Sequence, residues 1–210
     1  MRAECCALAL LLSGCLGGAG GRARLEAARA GLPRALHEVG ELGDPRVPAG
    51  RAASPRIDEA LDALRPWAAK GGLATRLAAV EGLRRLAERT PGLVRGRYQD
   101  LFDRPLEDPA PEVRWRAAWA IGRLGLARPG LLRALNDPSP RVAERAAWAT
   151  GRAGDPGAVP ALIEALGGEP LVAVSAEAAL NALTGQRLGR DPAAWRAWVN
   201  ATPGSPRPPR

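Results

Sequence analysis

The sequence predicts an all-α chain built as a capped stack of helical repeats, and three observations lead there. The composition is poor in strand formers: Tyr98 and Phe102 are the only aromatics besides six tryptophans, and Ala, Leu, Arg and Glu outnumber Thr, Val and Ile. A long motif returns after 29 residues. Within each copy the apolar residues fall at helical spacing. With 210 residues, 46% of them hydrophobic, the chain can bury one or two modest cores, which excludes a large multidomain enzyme. Glycine and proline make up about a fifth of the residues, short of the roughly 25–30% that marks a wholly disordered chain.

The repeat begins at Asp108-Pro109-Ala110-Pro111-Glu112-Val113 and recurs as Asp137-Pro138-Ser139-Pro140-Arg141-Val142. Arg116-Ala117-Ala118-Trp119-Ala120 returns as Arg145-Ala146-Ala147-Trp148-Ala149, and Gly122-Arg123 with Gly125 returns as Gly151-Arg152 with Gly154. A third, degenerate copy follows, with Val172, Ala176, Ala179, Leu180 and Leu183 in the apolar positions. Each unit opens on an Asp-Pro turn, places Pro111 or Pro140 in the first helical turn, where no donor is lost, and closes on Gly125 or Gly154 as a helix C-cap. Val113, Ala117, Ala120, Ile121 and Leu124 share one face of the first helix, and the alanines allow close helix packing. A second helix follows in each unit, over Pro129–Leu135 and over Ala158–Leu166.

With these residues in hand, segment 106–185 resembles HEAT-like repeats of the short phycobilisome-lyase type, the stretch Gly154-Asp155-Pro156-Gly157-Ala158-Val159-Pro160-Ala161-Leu162 included. The resemblance implies a right-handed α-solenoid of stacked HEAT-like helix pairs. Upstream, 22–105 reads as a helical region with a divergent repeat: Thr75–Leu86 and the pattern from Gly92 to Phe102 suit a helix pair without the Asp-Pro turn. Arg24–Val39 and Arg56–Ala69 suit helices separated by the turn-rich Gly40–Pro55. In 186–200, Asp191-Pro192 followed by Trp195 and Trp198 offers a cap, a first-turn proline and a large apolar face, as expected of a helix closing the stack. Residues 201–210 read as a disordered proline-rich tail.

The amino terminus reads as an address. Residues 1–14 suit a signal peptide, with the apolar run Cys5–Leu12 too short to span a bilayer permanently. Leu12-Ser13-Gly14-Cys15 resembles the bacterial lipobox, which implies lipidation at Cys15, cleavage before it and stable anchoring through several acyl chains. Residues 15–21 would then form the lipidated cysteine and a flexible tether. Leu16 rather than aspartate after Cys15 implies, by the same resemblance, an outer-membrane or periplasmic-side location. The alternatives are an ordinary secretory signal cleaved near Gly18-Ala19-Gly20, giving a secreted protein, or a buried N-terminal helix. All three cysteines lie in this leader, leaving none for a disulfide or metal site in the folded part.

Thirty Lys+Arg against 22 Asp+Glu gives a formal charge of +8. The repeat segment 106–185 is nonetheless close to neutral, and all but one of the cations are arginine, as a GC-rich coding bias would produce. His37 is the only histidine. Asp108, Asp137 and Asp155 stand at turn positions where a carboxylate caps backbone N–H groups. No P-loop, dinucleotide fingerprint or His-Glu metal motif occurs. The expectation is no catalytic residues, no metal and no cofactor.

The distinctive feature is Trp119 and Trp148 at equivalent positions, bracketed by Arg116 with Arg123 and by Arg145 with Arg152, and with Trp115 on the same side as Trp119. Tryptophan and arginine are enriched at protein-binding hot spots. Two readings stay open: the indoles pack between neighbouring helices, or with the arginines they form a partner surface. The function expected is a non-enzymatic protein-protein interaction or scaffold module anchored to the bacterial cell envelope, meeting a protein or peptide partner and the membrane through its lipid, with no small-molecule substrate. One alternative is a basic solenoid that binds nucleic acid, which requires Arg84, Arg85, Arg89, Arg95 and Arg97 to line one groove. Another, implied by the lyase resemblance and opposed by the lipobox, is chaperone or lyase-like handling of tetrapyrrole proteins.

Overall fold

The computed structural model describes residues 72–89 and 100–202. Cys15, the leader, the tether, His37, the helices expected before residue 72, Arg95, Arg97 and positions 203–210 of the tail lie outside the described residues. Every regular element among the described residues is helical. In chain order they are α1 (Leu73–Arg89), α2 (Asp100–Asp103), a 3-10 turn (Arg104–Glu107), α3 (Pro111–Leu124), α4 (Pro129–Ala134), α5 (Pro140–Ala153), a second 3-10 turn (Pro156–Ala158), α6 (Val159–Ala165), α7 (Pro170–Thr184) and α8 (Pro192–Ala201). The all-α solenoid expected from the sequence is the fold observed. The chain divides into two compact units, Met1–Val113 and Arg114–Arg210.

In the first unit, α1 buries Ala79, Val80, Leu83 and Leu86, and Leu101, Phe102 and Leu106 are buried in the segment before the first Asp-Pro turn. Arg76 of α1 clamps Asp108 with two hydrogen bonds, Nε to Oδ2 at 2.6 Å and Nη2 to Oδ1 at 3.1 Å. The same carboxylate accepts the Ala110 N–H at 2.8 Å.

The second unit repeats this construction. The Asp137 carboxylate accepts the Ser139 N–H at 2.8 Å, fixing the turn into α5, and Arg114 of α3 clamps it at 2.6 and 2.8 Å. Charge-assisted bidentate pairs of this kind set geometry as well as energy. Burial would raise the Asp137 pKa, but the Arg114 guanidinium and the Ser139 N–H outweigh it and hold the carboxyl below its ordinary value. At the far end of α5, Gly154 adopts φ +70°, and Gly125 after α3 adopts φ +63°, the left-handed C-caps expected from the sequence. Asp155 accepts the Gly157 N–H at 2.9 Å and opens the turn that leads to α6. In the third copy both members of the clamp are gone together: Gly167 stands where Asp137 stood and Ala143 where Arg114 stood, and α7 starts instead from Glu169-Pro170.

The core of this unit joins Val142, Ala146 and Ala147 of α5, Val159, Leu162 and Ile163 around α6, Val172, Ala176 and Leu180 of α7, and Trp195 and Val199 of α8. α5 and α7 pack along their lengths, α4 lies against α5, and α6 lies against both α7 and α8. Asp191 caps α8 by accepting the Ala193 N–H at 2.9 Å, as expected. Trp195 is fully buried; its indole N–H donates to the Gly189 carbonyl at 2.7 Å, and Trp198 meets it edge to face at 6.1 Å between ring centroids.

Candidate functional site

The site is built from α3 and α5, which repeat each other. On α3 the stripe Glu112, Arg116, Trp119, Arg123 and on α5 the stripe Arg141, Arg145, Trp148, Arg152 follow the same i, i+4, i+7, i+11 spacing, which keeps each set on one side of its helix. The outer members Glu112, Arg123, Arg141 and Arg152 are exposed, and the inner members are half-buried. Trp115 stands one turn before Trp119 on α3.

These side chains form an alternating stack. The Arg116 guanidinium lies 5.5 Å from the Trp119 ring centroid and 5.2 Å from that of Trp115. Arg145 lies 5.3 Å from the same Trp115 ring and 5.2 Å from Trp148. The order Trp119, Arg116, Trp115, Arg145, Trp148 therefore crosses from one repeat to the next, and Trp115 is the shared rung. Each contact is within the range at which an indole face attracts a cation. Of the seven residues singled out by sequence, five are brought together; Arg123 and Arg152 stand at the exposed C-terminal ends of the two stripes.

The packing reading left open for the indoles applies to Trp148. Its ring rests on Gly122 of α3, where an added Cβ would meet Trp148 Cζ3 and come within 2.9 Å of Ala149 Cα. Gly151 gives α5 the same notch toward α7, with Ala179 Cα 2.8 Å from the position of its absent Cβ. Trp148 thus packs between helices and keeps part of its surface in solvent.

The electrostatics are one-sided. Arg145 has a long contact with Glu144 at 3.5 Å, and its Nε is buried without a hydrogen-bond acceptor. Glu144 itself receives the Ser175 hydroxyl of α7 at 3.1 Å. Among the described residues, Arg116, Arg141 and Arg152 have no carboxylate partner. The near-neutral total of the repeats hides this asymmetry, because most of the acids are placed in turns and on other helices, with Glu112 and Glu144 on α3 and α5.

The arginines of α1 are arranged differently. Arg84 is buried and bonded to Glu81 at 2.7 Å and Glu88 at 2.6 Å, and Arg85 is bonded to Glu81 at 2.9 Å. Burial opposes both charges, but Arg84 and Arg85 hold the Glu81 pKa below its ordinary value, and the two glutamates hold that of Arg84 above its own. These two cations are consumed in an ion-pair network rather than presented along a groove.

Two open recesses accompany the site. One of about 240 Å³ is lined by Leu131, Leu132, Ala153 and Ala158, with Arg128, Thr150 and Asp155 as its polar members. The other, about 400 Å³, is lined by Pro160, Ile163 and Val199, with Glu164 and Arg196 bonded to each other at 2.9 Å. Among the described residues no group of three or more His, Cys, Asp or Glu is placed to hold a metal ion, and no helix is long and apolar enough to cross a membrane.

Sequence reasoning found the tryptophans but missed three features: the Arg114–Asp137 clamp, the Gly122 and Gly151 notches, and the cross-helix partnership of Trp115 with Arg145. The clamp left little signal, since Arg76 and Arg114 stand 32 and 23 residues before the aspartates they bind, with a further short helix in between. Residues 98–196 match the family model for HEAT repeats, a class that generally mediates protein-protein interaction and is typically a non-enzymatic scaffold. No curated protein matches the chain.

Proposed function

We propose that this HEAT-like repeat protein is a non-enzymatic interaction module that holds a protein partner on the outward face of α3 and α5, and that a lipid on Cys15 fixes it to the bacterial cell envelope. The observation that supports the binding role is the alternating stack from Trp119 to Trp148. It places three indoles and two guanidiniums in one row across a repeat boundary, with partly exposed surfaces of the residue types that dominate binding hot spots. Interhelical packing alone does not require unpaired arginines at Arg116, Arg141 and Arg152.

Anchoring rests on the Leu12-Ser13-Gly14-Cys15 sequence and the glycine-rich tether behind it. Metabolic labelling with a clickable fatty acid tests it. The native protein should carry label and sediment with membranes, and Cys15→Ala should lose both properties. An unlabelled native protein would refute the anchor and leave the binding face to be tested by itself. For that face, a photo-crosslinking residue at position 152 should capture a protein in cells, whereas one at position 164 on α6 should not.

A further inference from the structure

The stripe that holds the indoles on α3 and α5 continues onto α7, where its members are Leu171, Ser175, Ala178 and Ala182. Its chemistry changes there. Leu171 is 56% exposed and Val174, beside it, is 51% exposed, and Ala178 and Ala182 are exposed as well. The two halves are physically joined, because α5 packs on α7 and Glu144 bonds Ser175 across the boundary. One face therefore has a cationic, aromatic half and an apolar half.

In the cationic half the two stripes hold five arginines against one glutamate, Glu112. Arg116 and Arg145 both lie against the single Trp115 ring, at 5.2 and 5.3 Å, so the two like charges are at most about 10.5 Å apart. Two carboxylates two or three residues apart on an extended peptide span ~7–10 Å, so their spacing suits this pair. The apolar half then has room for one or two aliphatic side chains on the same segment. Phosphate-rich polymers suit the face less well, since nothing on α7's stripe offers them a cation. A flat anionic membrane suits it less well too, since the guanidiniums occupy the indole faces that would otherwise insert.

We infer that this face takes an acidic peptide segment of a protein partner, its carboxylates over Arg116, Arg145 and Arg152 and an adjoining aliphatic side chain against Leu171 and Val174. The inference rests on the protein-binding reading above and narrows it to one chemistry. Recognition of this kind depends on carboxylates meeting guanidiniums, and here Arg116 and Arg152 have no carboxylate partner among the described residues while Arg145 has only its 3.5 Å contact with Glu144; it is selective against neutral isosteres.

The test uses the full chain and two fluorescein-labelled twelve-residue peptides, followed by anisotropy at moderate salt. One peptide has three glutamates and a terminal Leu-Val pair; the other has glutamine at the three positions. The acidic peptide should bind at least tenfold more tightly. Arg116→Gln with Arg145→Gln should abolish the difference between the peptides, and the exposed charge reversal Arg152→Glu should weaken the acidic peptide severalfold with an unchanged thermal melt. Leu171→Ser with Val174→Ser should weaken both peptides alike. Equal affinity for the two peptides, or indifference to Arg152→Glu, would overturn the inference. So would stronger binding to phosphatidylglycerol vesicles or to a single-stranded DNA 20-mer than to the acidic peptide. If the crosslinker at position 152 still captures a protein under those outcomes, only the acidic chemistry fails; if it captures none, the protein-binding reading fails with it.

Discussion

The indole of Trp148 lies on Gly122, filling the space that any side chain at position 122 would need. Glycine here is steric rather than conformational: it lets α3 and α5 approach closely and gives the large ring of the next repeat a seat. The same substitution of size appears one repeat later, where Gly151 meets the smaller Ala179.

Gly122→Ala should therefore destabilise the fold by about 1–3 kcal/mol through overpacking. Gly167→Ala, whose added Cβ would meet nothing closer than the Glu164 carbonyl at 3.5 Å, should be close to neutral. Thermal or urea denaturation of the two variants checks this, and equal losses would contradict the seat assigned to Trp148.

Removal of the Arg114 clamp by Arg114→Gln should cost about 2–3 kcal/mol, as expected when a hydrogen-bonded, poorly exposed charge loses its partner. The pH dependence follows from the same pair. Because the folded-state pKa of Asp137 is depressed, its contribution is complete above the unfolded carboxyl value of about 4 and is lost as pH falls from there through the folded pKa. Melts of the native chain should show that loss, and Arg114→Gln should flatten the Asp137 share of it.

Much of this architecture is readable in the residues. The Asp-Pro turns, the prolines in the first turns of α3 and α5, and the caps at Gly125 and Gly154 depend on local geometry, which spacing along the chain reports directly. Trp119 and Trp148 were likewise visible as repeated residues, but their partners were not. The contact of Trp115 with Arg145 joins two helices whose close approach is set by the notch at Gly122, and no periodicity within one helix encodes that. The total charge misled for a similar reason. Residues 106–185 balance in sequence, yet Asp137 is held in a turn by Arg114 while Arg116 and Arg141 are left without a carboxylate, a sorting that only packing produces. Of the Gly92–Phe102 pattern, positions 92–99 lie outside the described residues, and the remainder falls in α2.

The closing helix depends on one ring. Trp195→Ala should cost about 3–5 kcal/mol, the usual result of truncating a fully buried aromatic. Trp195→Phe should restore most of the packing but leave the Gly189 carbonyl without its 2.7 Å donor, a loss of about 1 kcal/mol. Chemical denaturation of both variants separates the packing contribution from the hydrogen bond.

The stack itself should contribute modestly to stability. Arg116→Gln removes contacts with two rings, and partly exposed cation–π pairs are worth about 0.5–1 kcal/mol each. A loss of about 1–2 kcal/mol in urea denaturation is the expected result. A much larger loss would mean that Arg116 is chiefly a structural pillar and less a surface presented to a partner.

The claim that the row from Trp119 to Trp148 is the binding face can be tested most directly through the indole N–H resonances of the ¹⁵N-labelled protein, with Trp195 as an internal control bonded to Gly189. Titration with the acidic peptide should shift the signals of Trp115, Trp119 and Trp148 and leave that of Trp195 in place. Shifts confined to Trp195 and Trp198, or no shift at saturating peptide, would contradict it.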